Sequence, residues 1–252
     1  MLLHPERRPG ADSYRANLTA LRAAQKPAGA GSPAYSRFVN RRLGRHLAAL
    51  ACVIGLTPDQ VTGLSAISTA GALALVAIGP ASPAFAVLSG VLLILGYALD
   101  SADGQVARLT GTGRPAGEWL DHTVDAFKVT AVHGCVLIGW YRGLHRRDAV
   151  LLAPLGFMVL AGALFFLTWL MERLRREHRG SARLAQAGPR GTIRSLLLLP
   201  TDFGAVILLF LLWGWPTVFA VGYLALLACT AAFAALALPR WFGEVSAFGR
   251  AT

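Results

Sequence analysis

Asp100-Ser101-Ala102-Asp103-Gly104-Gln105-Val106-Ala107-Arg108 closes one long apolar block, and Gly117-Glu118-Trp119-Leu120-Asp121-His122-Thr123-Val124-Asp125 opens the next. Ionised groups are expensive at membrane depth. Where they occur they face the interior of a helix bundle, and by default they mark function. Four carboxylates converging there with one arginine and two glycines point to a divalent metal holding a pyrophosphate.

Working outward, 55% of the 252 residues are hydrophobic and only 15% are charged. That is too apolar for an ordinary soluble domain, and the apolar residues come in blocks. A spanning helix needs roughly 20 apolar residues. Six blocks qualify, at 61–79, 84–106, 117–141, 149–171, 202–214 and 216–238. The fifth is the shortest and must borrow from 196–199 or tilt. The expected fold is therefore an all-α integral membrane protein of six transmembrane helices, preceded by an amphipathic interfacial helix.

The net charge of +11 is unevenly placed. Arg7, Arg8, Arg15, Arg22, Lys26, Arg37, Arg41, Arg42 and Arg45 precede the first block, and Arg108 and Arg114 lie between the second and third. Arg173, Arg175, Arg176, Arg179, Arg183, Arg190 and Arg194 fill the connection between the fourth and fifth. With six spans these segments share one side with both termini, and the other side keeps only Arg142, Arg146 and Arg147. The positive-inside rule puts the acids, the 172–200 connection and both termini in the cytoplasm, with the plasma membrane of a bacterium as the expected location. A soluble nucleic-acid binder would be basic too, but it would not carry these blocks; nucleic acid is excluded as a partner. Cys52, Cys135 and Cys229 are scattered without metal-ligand spacing, which suits small apolar residues.

Three regions are expected: a flexible cytoplasmic tail 1–32, a membrane domain 33–240 and a cytoplasmic tail 241–252. The first tail holds one helical stretch around Tyr14 to Gln25. Ser32-Pro33 offers an N-cap and a proline at the first helical position. From there to Leu56 the pattern is amphipathic, with Leu43, Leu47, Leu50 and Ile54 on one stripe and Arg37, Arg41 and Arg45 on another. Such a helix lies among anionic headgroups. Thr57-Pro58-Asp59-Gln60-Val61-Thr62 then starts the first span. Within it Ala66, Ala70 and Ala74 share a face, the kind that lets helices approach closely in lipid.

On a helix Asp100, Asp103 and Ala107 share a face, as do Asp121 and Asp125. Gly104 leaves the backbone bare beside the acids. Arg108 brings a planar guanidinium suited to phosphate oxygens. Between them Leu109 to Ala116 carries Gly111, Gly113 and Pro115 and must turn. Like charges cannot gather so closely without a counterion, and hard oxygen ligands select Mg²⁺, Mn²⁺ or Ca²⁺ over zinc.

The full pattern, Asp-x2-Asp-Gly-x2-Ala-Arg-x8-Gly-x3-Asp-x3-Asp, resembles the signature of the CDP-alcohol phosphotransferase family, integral membrane enzymes of phospholipid headgroup synthesis. The motif is complete from Asp100 to Asp125, and the wider likeness runs from about Pro33 to Leu238. The resemblance implies that Asp100, Asp103 and Asp121 hold Mg²⁺ or Mn²⁺ on the two phosphates of a CDP-linked lipid donor. It implies that Asp125 completes that site and acts as general base on the acceptor hydroxyl. Gly104, Ala107, Arg108 and Gly117 would shape the CDP pocket, with Thr62 reaching the nucleotide. The implied reaction moves a phosphoryl-alcohol group, such as phosphatidyl from CDP-diacylglycerol, onto an alcohol and releases CMP; the implied assembly is a homodimer in membrane lipid.

The acceptor is less constrained. A polyol or polyol phosphate is favoured, with an amino alcohol or a soluble CDP-headgroup donor as alternatives. Asp59 stands where many relatives carry Asn, which would alter nucleotide contacts. Ala126 stands where relatives using inositol phosphate often carry Arg, which counts against that acceptor. Lys128 shares a face with Asp121 and Asp125 and suits either an ion pair inside the bundle or a contact with an acceptor phosphate. His122 and His133 read as polar packing groups, since no second ligand accompanies either at helical spacing. In Gly188-Pro189-Arg190-Gly191-Thr192-Ile193-Arg194-Ser195, Arg190 and Arg194 are candidate contacts for an anionic acceptor. Asp202 is a candidate partner for one of them. A divalent-cation transporter would also gather acids, but it has no need of Gly104, Ala107, Arg108 and Gly117, and an arginine would oppose the cation. A structural scaffold explains neither the acids nor their spacing.

Overall fold

The computed structural model describes residues 13–24, 33–143, 148–179 and 199–248, and among them every regular element is helical. Helix α1 is Tyr14–Ala23, the expected stretch within the N-terminal tail. It is docked rather than isolated: Leu21 is buried in a cluster with Ala48 and Cys52, and Tyr14 Oη meets His46 Nδ1. A π-helical segment, Ser36–Asn40, leads into α2, Arg41–Ile54, which ends at Gly55 with φ 79°. Only a residue without Cβ takes that left-handed turn cheaply, and it lets the Leu56 amide reach back to the Ala51 carbonyl at 2.9 Å.

Helix α3, Pro58–Ile78, starts with a complete capping box: Gln60 N donates to Thr57 Oγ1 at 3.3 Å and Thr57 N donates to Gln60 Oε1 at 2.9 Å. Helix α4, Pro83–Thr110, carries the first acid pair, and α5, Pro115–Gly143, the second. Helix α6 is Leu152–Arg179, α7 is Phe203–Leu209 followed by a 3-10 turn Phe210–Leu212, and α8 is Pro216–Phe248. All six apolar blocks are thus helices. Four candidate spans satisfy both length and hydropathy: Pro58–Ile78, Pro83–Thr110, Ala149–His178 and Pro216–Phe248. The third block forms the long helix α5 but carries Glu118, Asp121, Asp125 and Lys128 in its first half. The fifth is a short apolar helix, Phe203–Leu212. Helix α8 runs through Pro239 to Phe248, where its Glu244 takes a forked pair from Arg175 of α6 at 3.0 and 2.7 Å.

Helix α4 is the centre of the bundle, packed on α2 and α3; α5 packs on α3 and α6. The α3/α4 approach is set by Gly96, where an added Cβ would lie 2.4 Å from Thr69 Oγ1. That closeness lets Ser65 Oγ donate to the Gly96 carbonyl at 2.7 Å and Ser68 Oγ to the Leu92 carbonyl at 2.9 Å. The packing face of α3 is therefore Thr62, Ser65, Thr69, Leu73 and Val76. The expected alanine stripe is not: Ala70 and Ala74 are exposed and Ala66 only half-buried. Hydroxyls that find carbonyl acceptors across the helix pair hold α4 better than methyl groups do. The main core stacks Leu93, Val136, Trp140, Phe157, Phe219 and Tyr223, while Ile67, Phe127, Val159 and Val221 point outward. That outward apolar surface is what a lipid environment requires.

Asp202 caps α7, accepting from Gly204 N at 2.9 Å, and its other carboxylate oxygen accepts from Ser36 N at 3.0 Å. It thereby ties the segment before α2 to the start of α7. The expected arginine partners, Arg190 and Arg194, lie outside the described residues, as does Ser32.

Candidate functional site

Helices α4 and α5 bring their acids together because the connection between them is short. Gly111, at φ 68°, ends α4 with its amide on the Ala107 carbonyl, and Pro115 starts α5. In the left-handed region a side chain would be strained, so glycine fixes the reversal there. Arg114, just before Pro115, forms an ion pair with Asp59 in the first turn of α3. This pair bridges α3 to the α4–α5 connection. Asp59 also lies close to Gly117, where an added Cβ would meet Asp59 Oδ1 at 3.3 Å.

Each acid has its own surroundings. Asp103 is buried, accepting 2.6 Å from Thr62 Oγ1 and also from its neighbour's amide at Gly104. Thr62 is buried as well, and its hydroxyl also lies 3.2 Å from the Pro58 carbonyl, with Asp103 the nearer acceptor. Asp100 and Asp125 both pair with Lys128, Asp125 Oδ1 at 3.2 Å. Asp125 is the more open of the two, with 27% of its side chain exposed against 15% for Asp100. Asp121 differs from all three. Its Oδ1 is buried and makes no hydrogen bond among the described residues. An ionised oxygen left so would be costly, a cost that a bound cation would relieve.

A hard divalent cation fits this donor set. The ligand atoms of Asp121, His122 and Asp125 lie within 4.8 Å of one another, and the remaining carboxylates are on the adjoining helix. Carboxylate-rich oxygen sets suit Mg²⁺ and Mn²⁺. From spacing alone His122 reads as a packing residue. It joins the group because its helical neighbours are the acids themselves, one residue before it and three after. The same ring also stands 3.9 Å from Glu118 Oε1. His133 is a packing group: Nδ1 meets Tyr223 Oη at 2.7 Å and the ring stacks on Phe157 with centroids 3.9 Å apart.

Near the acids in sequence, Gly104, Ala107 and Gly117 are half-buried and Arg108 is exposed. An added Cβ at Gly104 would stand 3.4 Å from Arg108 Nη1, so the glycine and the guanidinium share one surface. On α2, burial and then the neighbouring Arg22 and Arg42 push the Arg45 guanidinium below its ordinary value. That crowding of positive charge is relieved by anions.

Two participants escaped the sequence reading. Ser65 accepts from Lys128 Nζ at 3.0 Å. Its position, three residues after Thr62 on the same face of α3, was the available signal. In the sequence Arg114 reads only as a topology marker, because nothing local connects it to Asp59.

The profile of the family described as CDP-alcohol phosphatidyltransferase matches residues 55–236. An archaetidylinositol phosphate synthase of Pyrococcus horikoshii is 30% identical over 166 residues, covering 66% of this chain and 77% of that protein. Phosphatidylinositol phosphate synthases of Mycobacterium marinum and Mycobacterium tuberculosis are 37% identical over 122 residues and 36% over 118. These cover 48% and 46% of this chain, and 49% and 51% of the mycobacterial proteins, so the match spans about half the length of those relatives.

Proposed function

Because the chain belongs to the CDP-alcohol phosphatidyltransferase family, a family of membrane phosphotransferases in phospholipid synthesis, we propose that it moves a phosphatidyl group from CDP-diacylglycerol to a hydroxyl of a polyol phosphate and releases CMP. The observation that carries this reading is the meeting of Asp100 and Asp103 on α4 with Asp121 and Asp125 on α5, with Gly104 and the exposed Arg108 side by side on α4.

Asp100, Asp103, Asp121 and Asp125 would hold Mg²⁺ or Mn²⁺. When bound, such an ion offsets the charge that builds on the phosphate oxygens during displacement. Arg108 binds a donor phosphate oxygen as a fixed cation. Gly104, Ala107 and Gly117 leave room for the nucleotide to lie against backbone, and Thr62 holds Asp103 in place. Asp125, the more open partner of Lys128, accepts the proton of the acceptor hydroxyl at a carboxylate oxygen. The hydroxyl oxygen bonds to the phosphorus that carries the diacylglycerol, the bond from that phosphorus to the CMP oxygen breaks, and CMP leaves.

The polyol phosphate acceptor follows the similarity to an archaetidylinositol phosphate synthase and to phosphatidylinositol phosphate synthases. Arg190 and Arg194, outside the described residues, supply cations for its phosphate. Lys128 is left out of that role, since its donors are already engaged. Ala126 favours a polyol phosphate other than inositol phosphate, or a different means of holding it.

In the membrane we assign six spans, α3 to α8, with α7 and its 3-10 turn as the shortest, and α2 as the interfacial helix. Support for the last comes from α2 itself: Leu43, Leu50 and Ile54 are exposed while Gly44, Ala48 and Cys52 pack inward on the bundle. Arginine placement supports a cytoplasmic face for the acids; the membrane we assign is the plasma membrane of a bacterium, and the family resemblance supports a homodimer. The test is CMP release by purified protein given labelled CDP-diacylglycerol and inositol, inositol phosphate, glycerol phosphate or serine, with Mg²⁺ or with excess chelator. Turnover with a polyol phosphate, lost in chelator and in Asp125→Asn, is the expected result. No CMP from any acceptor refutes the transfer, and full activity in chelator refutes the metal.

A further inference from the structure

Lys128 is the buried cation of this site, with 7% of its side chain exposed. An ammonium has three N–H donors and no acceptor capacity. Here Nζ contacts Asp100 on α4, Asp125 Oδ1 on α5 at 3.2 Å and Ser65 Oγ on α3 at 3.0 Å. Ser65 gives its own proton to the Gly96 carbonyl at 2.7 Å, which leaves a lone pair turned to the lysine. Every donor of Lys128 is thereby spent, each on a different helix.

This divides the carboxylates into two unequal halves. Asp100 and Asp125 face a fixed positive charge. Asp103 accepts from a neutral hydroxyl and a neutral amide, with the exposed Arg108 guanidinium within electrostatic reach, and Asp121 Oδ1 has no hydrogen bond among the described residues. Four carboxylates without a resident cation would need two divalent ions for neutrality. With an ammonium already covalently in place, one divalent ion leaves a single residual negative charge, and a second would bring two dications and an ammonium into one pocket. We propose that Lys128 stands in for one divalent ion, so that each active site of this chain binds a single metal, at Asp121, whose ligand atom lies within 4.8 Å of those of His122 and Asp125. The inference rests on the metal-binding reading above. Lys128 is then a positioning residue: it holds Asp100 and Asp125 together whether or not metal is bound.

The experiment counts Mn²⁺ by electron paramagnetic resonance and equilibrium dialysis on the full chain in lipid nanodiscs, without substrate. One Mn²⁺ per chain is expected for the wild type. Two per chain are expected for Lys128→Met, together with a lower unfolding temperature in chelator that Mn²⁺ raises more than it does for the wild type; Lys128→Arg restores the count of one. Two Mn²⁺ in the wild type overturn the inference while leaving metal-dependent transfer standing, and this outcome needs no variant to fold. No Mn²⁺ in the wild type overturns both. One Mn²⁺ in both wild type and Lys128→Met overturns the role given to the lysine alone.

Discussion

Replacing Thr62 with Val keeps the shape of the side chain and removes one proton donor. In the wild type that donor lies 2.6 Å from Asp103 Oδ2, with Thr62 3% and Asp103 5% exposed, so water does not take its place. A hydrogen bond to a charged group contributes about 1.5–3 kcal/mol, and each ~1.4 kcal/mol corresponds to a tenfold rate change. If Asp103 must stay oriented through the transition state, Thr62→Val lowers kcat roughly 10- to 100-fold, by that hydrogen-bond value. The half-saturating Mg²⁺ concentration rises with it, because the carboxylate has lost the donor that aims it. The KM for CDP-diacylglycerol stays near the wild-type value, and Thr62→Ser, which keeps the hydroxyl, recovers most of kcat. The assay is initial CMP release over a grid of donor and Mg²⁺ concentrations. A raised donor KM at constant kcat would instead mean that Thr62 binds the nucleotide directly. Equal loss in the Ser and Val variants would show that the hydroxyl has no part.

Gly96→Ala should destabilise the α3/α4 pair by about 1–3 kcal/mol, the usual cost of overpacking, read as a lower unfolding midpoint in detergent; an unchanged midpoint would contradict the close approach. Topology is tested by single cysteines in a chain whose Cys52, Cys135 and Cys229 are serine: Glu177→Cys should label only from the cytoplasmic side and Gly143→Cys only from outside, and the reverse would remove the acids from the nucleotide. Arg194→Ala should raise the KM of a polyol phosphate about tenfold or more, as loss of a charge-assisted contact implies, with little change in donor KM. An unchanged acceptor KM would shift the assignment to an uncharged alcohol.

The linear order of residues determined much of this protein. Helix starts and stops are local chemistry: Thr57 with Gln60, Gly55, Gly111 and Pro115 act within a turn of themselves, so every block lies on a helix, although α6 and α8 run on past theirs to Arg179 and Phe248. The acids were legible for the same reason, since spacing along one helix sets a shared face. Faces between helices were another matter. In a soluble helix the buried stripe is apolar against a polar remainder, but in lipid both sides are apolar and that contrast disappears. Hence α3 packs by Ser65 and Thr69 and not by Ala70 and Ala74, a choice decided by carbonyls on α4 that its own sequence does not contain. Lys128 was equally open between an internal ion pair and a substrate contact until α3, α4 and α5 were placed. Its three partners lie 63, 28 and 3 residues away along the chain. Only the closeness of the helices, set at Gly96 and by the turn at Gly111, brings those acceptors to one ammonium. Asp202 was drawn to Ser36 in the same way, across 166 residues. Local chemistry wrote the helices and the acid spacing; the pairing of buried charges was settled by tertiary packing, because a buried ion takes whatever partner the fold leaves within reach.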